Sequence, residues 1–290
     1  MQANHLVHGQ DLAQRRVGPL SSVLVAAVCL AVGQFVGWLT LRGTGFDGDS
    51  PAGQIVACLA GFTPTLALLA LWVTVLERRP FSTLGFRPDG RLRKAVLGAI
   101  TAVGFLLLLS AAGNAVRTGS GEGEGGSSSV ALGGGLLLLT AYLVQASTEE
   151  IVFRGFLLPK LTARRGAAVG VLGSSALFAC AHMINRNAPM TYIAMTLLLG
   201  IALALWALAD GALWRTCAFH SVWNWLPNFL NAGSEGSPAE STTETTIVSL
   251  LVLAVVVLAA LWSYRRSLRS DRWPDLREEQ SDTGNNLGAT

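Results

Sequence analysis

Eight apolar stretches of about twenty residues each, at 20–41, 54–76, 95–113, 131–158, 167–184, 189–209, 212–231 and 246–264, leave this chain few folds to choose from. A run of that length crosses the hydrocarbon core of a bilayer as an α-helix, because inside lipid every backbone polar group has to be bonded within its own segment. The expected fold class is therefore all-α: a polytopic transmembrane bundle of about eight spanning helices. Composition agrees. Of 290 residues, 51% are hydrophobic and 13% charged, where a soluble domain carries about 25% charged residues. The fourth stretch is interrupted by Glu149 and Glu150, and the seventh, with Arg215, His220, Asn224 and Asn228, is the most polar.

Charge placement orients the bundle. With the N-terminus in the cytoplasm, the inner segments hold all of the 21 basic residues except Arg42, Arg117 and Arg186, the asymmetry expected of cytoplasmic loops. Both termini are then expected on the cytoplasmic side of a bacterial plasma membrane. Three parts follow: a cytoplasmic segment at 1–19, one membrane-embedded domain at 20–264, and a cytoplasmic tail at 265–290 that is expected to be disordered. The first apolar stretch is longer than the core of a signal peptide, about 7–15 residues, so it is taken as a spanning helix.

The remaining segments exclude several functions. The Gly/Ser-rich run Gly119 to Ser129 follows no strand and ends in no Gly-Lys-Ser, so it suits a flexible linker and not a phosphate loop. No basic patch with interleaved aromatics points to a nucleic-acid partner. Cys29, Cys58, Cys180 and Cys217 lie in apolar stretches without Cys-x-x-Cys spacing, and are expected to be buried small hydrophobes. The inner loop Glu77 to Arg93 mixes basic and aromatic residues and is expected along the lipid headgroups. Gly166-x-x-x-Gly170, continued by Gly173, Ser174, Ser175 and Ala176, offers the fourth helix a small-residue face to pack against.

Charge inside the fourth stretch is costly, about 2.5–3.5 kcal/mol per carboxylate near the bilayer centre. Glu150 and Arg154 are four residues apart, which puts them on one helix face as an ion pair. Glu149 lies about 100° round the helix and is the carboxylate left free. Two histidines also sit in apolar stretches: His182, one turn after Phe178, and His220, one turn before Asn224. A rise of about 1.5 Å per residue brings these groups within reach of one another in the inner half of the membrane. A buried glutamate can take a proton from water, a histidine can orient that water, and a His/Asn pair can hydrogen-bond the oxyanion of a tetrahedral intermediate. The same Glu/His/His set also suits one divalent ion such as zinc, held by Glu149, His182 and His220, although the His-Glu-x-x-His pair of a zincin helix is absent.

Three motifs, Glu149-Glu150-x-x-Phe153-Arg154-Gly155, Phe178-x-x-x-His182 and His220-x-x-x-Asn224, resemble those of the CPBP intramembrane proteases. That family includes the CAAX prenyl endopeptidases, the Abi bacteriocin-processing and self-immunity proteins and the lysostaphin-resistance-like proteins. Leu84-Gly85-Phe86-Arg87-Pro88 also looks like a loop found upstream in them. The resemblance covers about 140–230 and implies a protease core at about 131–231. It implies that Glu149 and His182 activate water, that His220 and Asn224 form the oxyanion site, and that Glu150, Arg154 and Phe178 support them. The substrate would be a peptide or a membrane protein, met in the lipid bilayer. Metal-dependent and metal-free mechanisms both remain open on these residues. Two other classes stay in view: a non-proteolytic scaffold or bacteriocin-immunity protein that uses the polar cluster for packing, and an ion-coupled transporter with Glu149 as proton carrier.

Overall fold

The computed structural model describes residues 18–48, 50–117, 132–185, 189–231 and 243–270, and all regular structure among them is helical. The expectations for the N-terminal segment, the Gly/Ser-rich run, most of the last outer loop and the end of the tail fall on 1–17, 118–131, 232–242 and 271–290, outside the described residues. Helix α1 is Pro19–Thr44, α2 is Pro51–Leu71 and α3 is Arg91–Arg117. Helix α4, Leu132–Glu150, passes through a π-helical segment, Ile151–Leu157, directly into α5, Leu158–Arg165. There follow α6 (Ala167–Ala181), α7 (Met190–Asp210), α8 (Trp214–Asn231) and α9 (Thr243–Ser270).

Seven helical rods among the described residues are long and apolar enough to cross a membrane. Helix α8, the seventh and most polar of the expected stretches, is not one of them. Its polar residues are accommodated by protein: α8 packs on α3, α4 and α7, and Arg215, Thr216, His220 and Ser221 are buried. The fourth stretch is also longer than its apolar window suggested. It runs without a break from Gly133 to Arg165 and turns at Gly166, whose φ of 86° is open to glycine, straight into α6.

Packing places that long rod at the centre. Helix α4 lies against α2 and α8, and the π-helical segment lies against α1 and α6. The small-residue face of α6 divides its contacts. A Cβ on Gly170 would come within 2.0 Å of the Thr162 hydroxyl on α5, whereas Ser175 sits under Gly200 of α7. The expected partner, the fourth rod, is met both at α5 and at the π-helical segment. Helices α1 and α2 close on each other through Gly33, where a Cβ would lie 2.2 Å from the Gly61 carbonyl.

Part of the Glu77 to Arg93 loop, expected along the headgroups, packs into the protein, while Arg78 and residues 88–93 stay exposed. Leu84 is fully buried, and its carbonyl approaches Gly155 so closely that a Cβ there would be 2.5 Å away. Leu213 donates its N–H to the Gly85 carbonyl at 3.0 Å, Trp214 donates its indole N–H to the Arg87 carbonyl, and Phe86 meets Trp214 edge-on. The loop begins with a buried charge cluster: Glu77 accepts from Trp72 at 3.1 Å, from Arg79 at 2.6 Å and from Lys160. Burial by itself would push the Glu77 carboxyl up, but Lys160 and Arg79 outweigh it and hold the group below its ordinary value. Two of the basic residues assigned to an inner loop, Arg79 and Lys160, thus serve a protein contact that ties the end of α2 to α5.

Glu77 therefore stabilises the fold fully above the unfolded glutamate value, about 4.3, and the contribution fades as pH falls through the lowered folded value. Glu77→Ala, which leaves two cations buried, should cost roughly 3–5 kcal/mol. Thermal unfolding in detergent should show a large drop for the variant at pH 7 and a smaller difference from wild type at pH 3.

Candidate active site

Glu149 and Glu150 end α4 at the last α-helical turn before the π-helical segment, whose seven residues are all buried. The two carboxylates point to different surroundings. Glu150 is fully buried, and its Oε1 accepts from Arg154 Nη1 at 2.8 Å and from His220 Nδ1 at 3.0 Å. Arg154, also fully buried, donates through Nη2 to the Gly200 carbonyl at 3.2 Å and lies 4.3 Å from the Phe178 ring centroid. The pairing expected from spacing is present, and it has a third member. His220 bridges the two glutamates, with Nε2 3.5 Å from Glu149 Oε2.

Glu149 is 5% exposed and its Oε2 has no hydrogen-bond partner. A 3.5 Å separation is too long for a good hydrogen bond, and a buried oxygen left unsatisfied marks a place for water or substrate. Glu149 borders a cavity of about 850 Å³ lined also by Phe178, His182, His220, Asn224 and Asn228, among others. The structure thus brings Glu149, His182, His220 and Asn224 to one space, and places Glu150 and Arg154 behind it.

Local geometry presets both imidazoles. His182 stands where α6 gives way to a short 3₁₀ turn, His182–Ile184, and its Nδ1 is 2.9 Å from the Phe178 carbonyl. A carbonyl only accepts, so Nδ1 carries the proton and Nε2 keeps a lone pair for the cavity. The same argument applies to His220, whose Nδ1 donates to the Glu150 carboxylate. Phe178 holds the arrangement together, packing edge-on against Phe153 at 5.2 Å, His182 at 4.5 Å and His220 at 5.8 Å between ring centroids.

Three groups escaped the sequence reading. Gly200 gives Arg154 its carbonyl acceptor, and its bare α-carbon lets α7 approach Ser175 and Phe178; a Cβ would meet them at 3.1 and 3.3 Å. A glycine in the middle of an apolar helix was the available signal. Tyr192 packs near His182, with ring centroids 6.1 Å apart. Cys180, expected to be buried, is exposed and borders the cavity, unlike Cys29, Cys58 and Cys217. As for a metal, no group of three His, Cys, Asp or Glu side chains among the described residues is arranged to hold one. Glu149, His182 and His220 share the cavity without forming a ligand set.

Removal of the guanidinium should expose the role of the ion pair. Arg154→Ala leaves Glu150 with His220 alone, and should cost about 3 kcal/mol, the low end of the range for breaking a buried pair. Glu150→Gln combined with Arg154→Gln should restore much of the loss, because the amide oxygen still accepts from His220 and neither charge is orphaned. Yield and thermal stability of the purified variants measure both effects.

Comparison with known proteins agrees with the geometry. No curated protein and no solved structure matches the chain. Residues 132–226, which run from α4 into α8 and contain all of the motif side chains, match the family model described as Type II CAAX prenyl endopeptidase Rce1-like. This Rce1-like match, in a multi-pass membrane protein of helices, supports an intramembrane endopeptidase.

Proposed function

We propose that the chain is an intramembrane endopeptidase that hydrolyses a peptide bond with water activated by Glu149 and His182. The observation that carries the reading is Glu149, a buried carboxylate with an unpartnered Oε2, bordering the cavity beside two oriented imidazoles. Water held between Glu149 and His182 Nε2 gives both of them O–H bonds. Glu149 takes the proton as the oxygen attacks the carbonyl carbon. The oxyanion that forms is stabilised by the Asn224 amide and by His220, which donates from Nε2 when the ring is protonated while Nδ1 stays on Glu150. Collapse of the intermediate breaks the C–N bond, and the proton held on Glu149 passes to the leaving nitrogen. Glu150 and Arg154 contribute by fixing His220. Because the basic ends of α2, α5 and α9 face the cytoplasm in this reading, cleavage lies toward that side.

A scaffold or immunity role needs the cluster only for packing. The Glu150–Arg154–His220 set satisfies that role without Glu149, whose unpartnered buried oxygen would then be a cost with no return. Glu149→Gln separates the two classes, since it keeps the shape and removes the base. We expect folded protein with unchanged thermal stability and at least a hundredfold loss of peptide release from membranes, the scale of general-base catalysis. Full retention of function would establish the scaffold.

No step above runs through a metal, since the side chains present do not form a ligand set. We expect purified protein to cleave at an unchanged rate after treatment with a chelator, with elemental analysis confirming removal. Loss of cleavage that zinc restores would assign Glu149, His182 and His220 to a metal instead.

A further inference from the structure

Gln145 lies one helical turn before Glu149 on α4, and both side chains border the cavity. A spacing of four places them on one face. Ala141 and Ala146, close to Gln145 on this helix, are apolar and fully buried, so packing alone gives no reason for a carboxamide here. Its orientation is set from α2: the Cys58 thiol donates to Gln145 Oε1 at 3.6 Å. Gln145 Nε2 has no hydrogen bond among the described residues. With the oxygen turned toward α2, the side chain offers the cavity N–H donors, and a peptide carbonyl is their natural acceptor.

The spacing says which carbonyl. Four residues of α-helix rise about 6 Å, and two residues of extended chain span roughly 6.6 Å. A polypeptide lying along α4 with its scissile carbonyl at Glu149 therefore brings the carbonyl two residues away to Gln145. That carbonyl is free only if the segment is extended, because a helix has already bonded its carbonyls internally. Leu30, Phe62 and Leu157 line the same cavity and suit apolar side chains.

We propose that Gln145 is a substrate-binding residue of this site, donating from Nε2 to the peptide carbonyl two residues from the bond that is cut, so that the substrate is an apolar polypeptide stretch held extended along α4. The inference rests on the peptidase reading above. Its test uses full-length protein in vesicles of phosphatidylcholine. The probe is the peptide that wild type, but not Glu149→Gln, releases in greatest amount from membranes of the expressing cells, with its flanking residues remade synthetically. A second version carries an ester in place of the amide two residues from the cut, because an ester carbonyl is the weaker acceptor.

Gln145→Leu should raise KM roughly tenfold, the worth of one hydrogen bond, and should lower kcat less than that. The ester should raise KM for wild type by a similar factor and make little difference to Gln145→Leu. If Gln145→Leu folds poorly, the ester effect on wild type still decides, with Gln145→Glu, which loses the donors and keeps the shape, as the second variant. An unchanged KM for the variants, or an ester effect equal in wild type and variant, overturns the assignment of Gln145 and leaves the peptidase reading standing. Equal release of every peptide by wild type and Glu149→Gln overturns both.

Discussion

One carboxylate organises this protein. Glu150 Oε1 receives both the Arg154 guanidinium and the His220 imidazole, with none of the three open to solvent by more than a few per cent. Placing so much charge among helices is tolerable only because each member satisfies another; the same groups singly would cost several kcal/mol each. The consequence is positional. Arg154 belongs to the π-helical segment, Glu150 to α4 and His220 to α8, and Gly200 of α7 accepts the remaining Arg154 hydrogen bond. Four separate elements are thus held to one point, and Glu149, the next residue along, is left facing the cavity.

The loop before α3 supports this point from one side. Leu84 closes on Gly155 directly after Arg154, and the backbone of 85–87 bonds to Leu213 and Trp214 at the start of α8. Both helices that supply the charged site therefore rest on the same short loop, and the loop is anchored by Glu77 with Arg79 and Lys160. This gives a physical reason for glycine after Arg154: any side chain would drive the loop away from the segment that carries the guanidinium. Tight packing at that junction and an open cavity beside it are compatible because the π-helical segment ends the regular turns of α4 directly after Glu149 and Glu150.

The cavity gathers a few polar groups among many apolar ones. Glu149, with an unsatisfied buried oxygen, two imidazoles engaged through Nδ1, and two carboxamides, Asn224 and Gln145, all line a mainly apolar cavity. In such surroundings a hydrogen bond or a developing charge is felt more strongly than in water. Hydrolysis inside a membrane needs that economy, since few polar groups can be accommodated there.

The sequence by itself determined the helical class, the membrane setting and the chemistry-bearing residues. Each of these is local: a run of twenty apolar residues must be a helix in lipid, and Glu150 and Arg154 four apart must meet on one face. It also carried the Rce1-like match, whose residues 132–226 include the same short motifs. Only the tertiary structure decided what depends on contacts between distant segments. His220 bridging two glutamates, Gly200 serving Arg154, Gln145 tethered by Cys58, and a basic loop folded into the protein all join residues tens of positions apart, where periodicity carries no information. Helix α8 shows the boundary between the two. Its polarity falls short of a free-standing membrane span, and it keeps its place because neighbouring helices and the cavity, rather than lipid, surround its polar face.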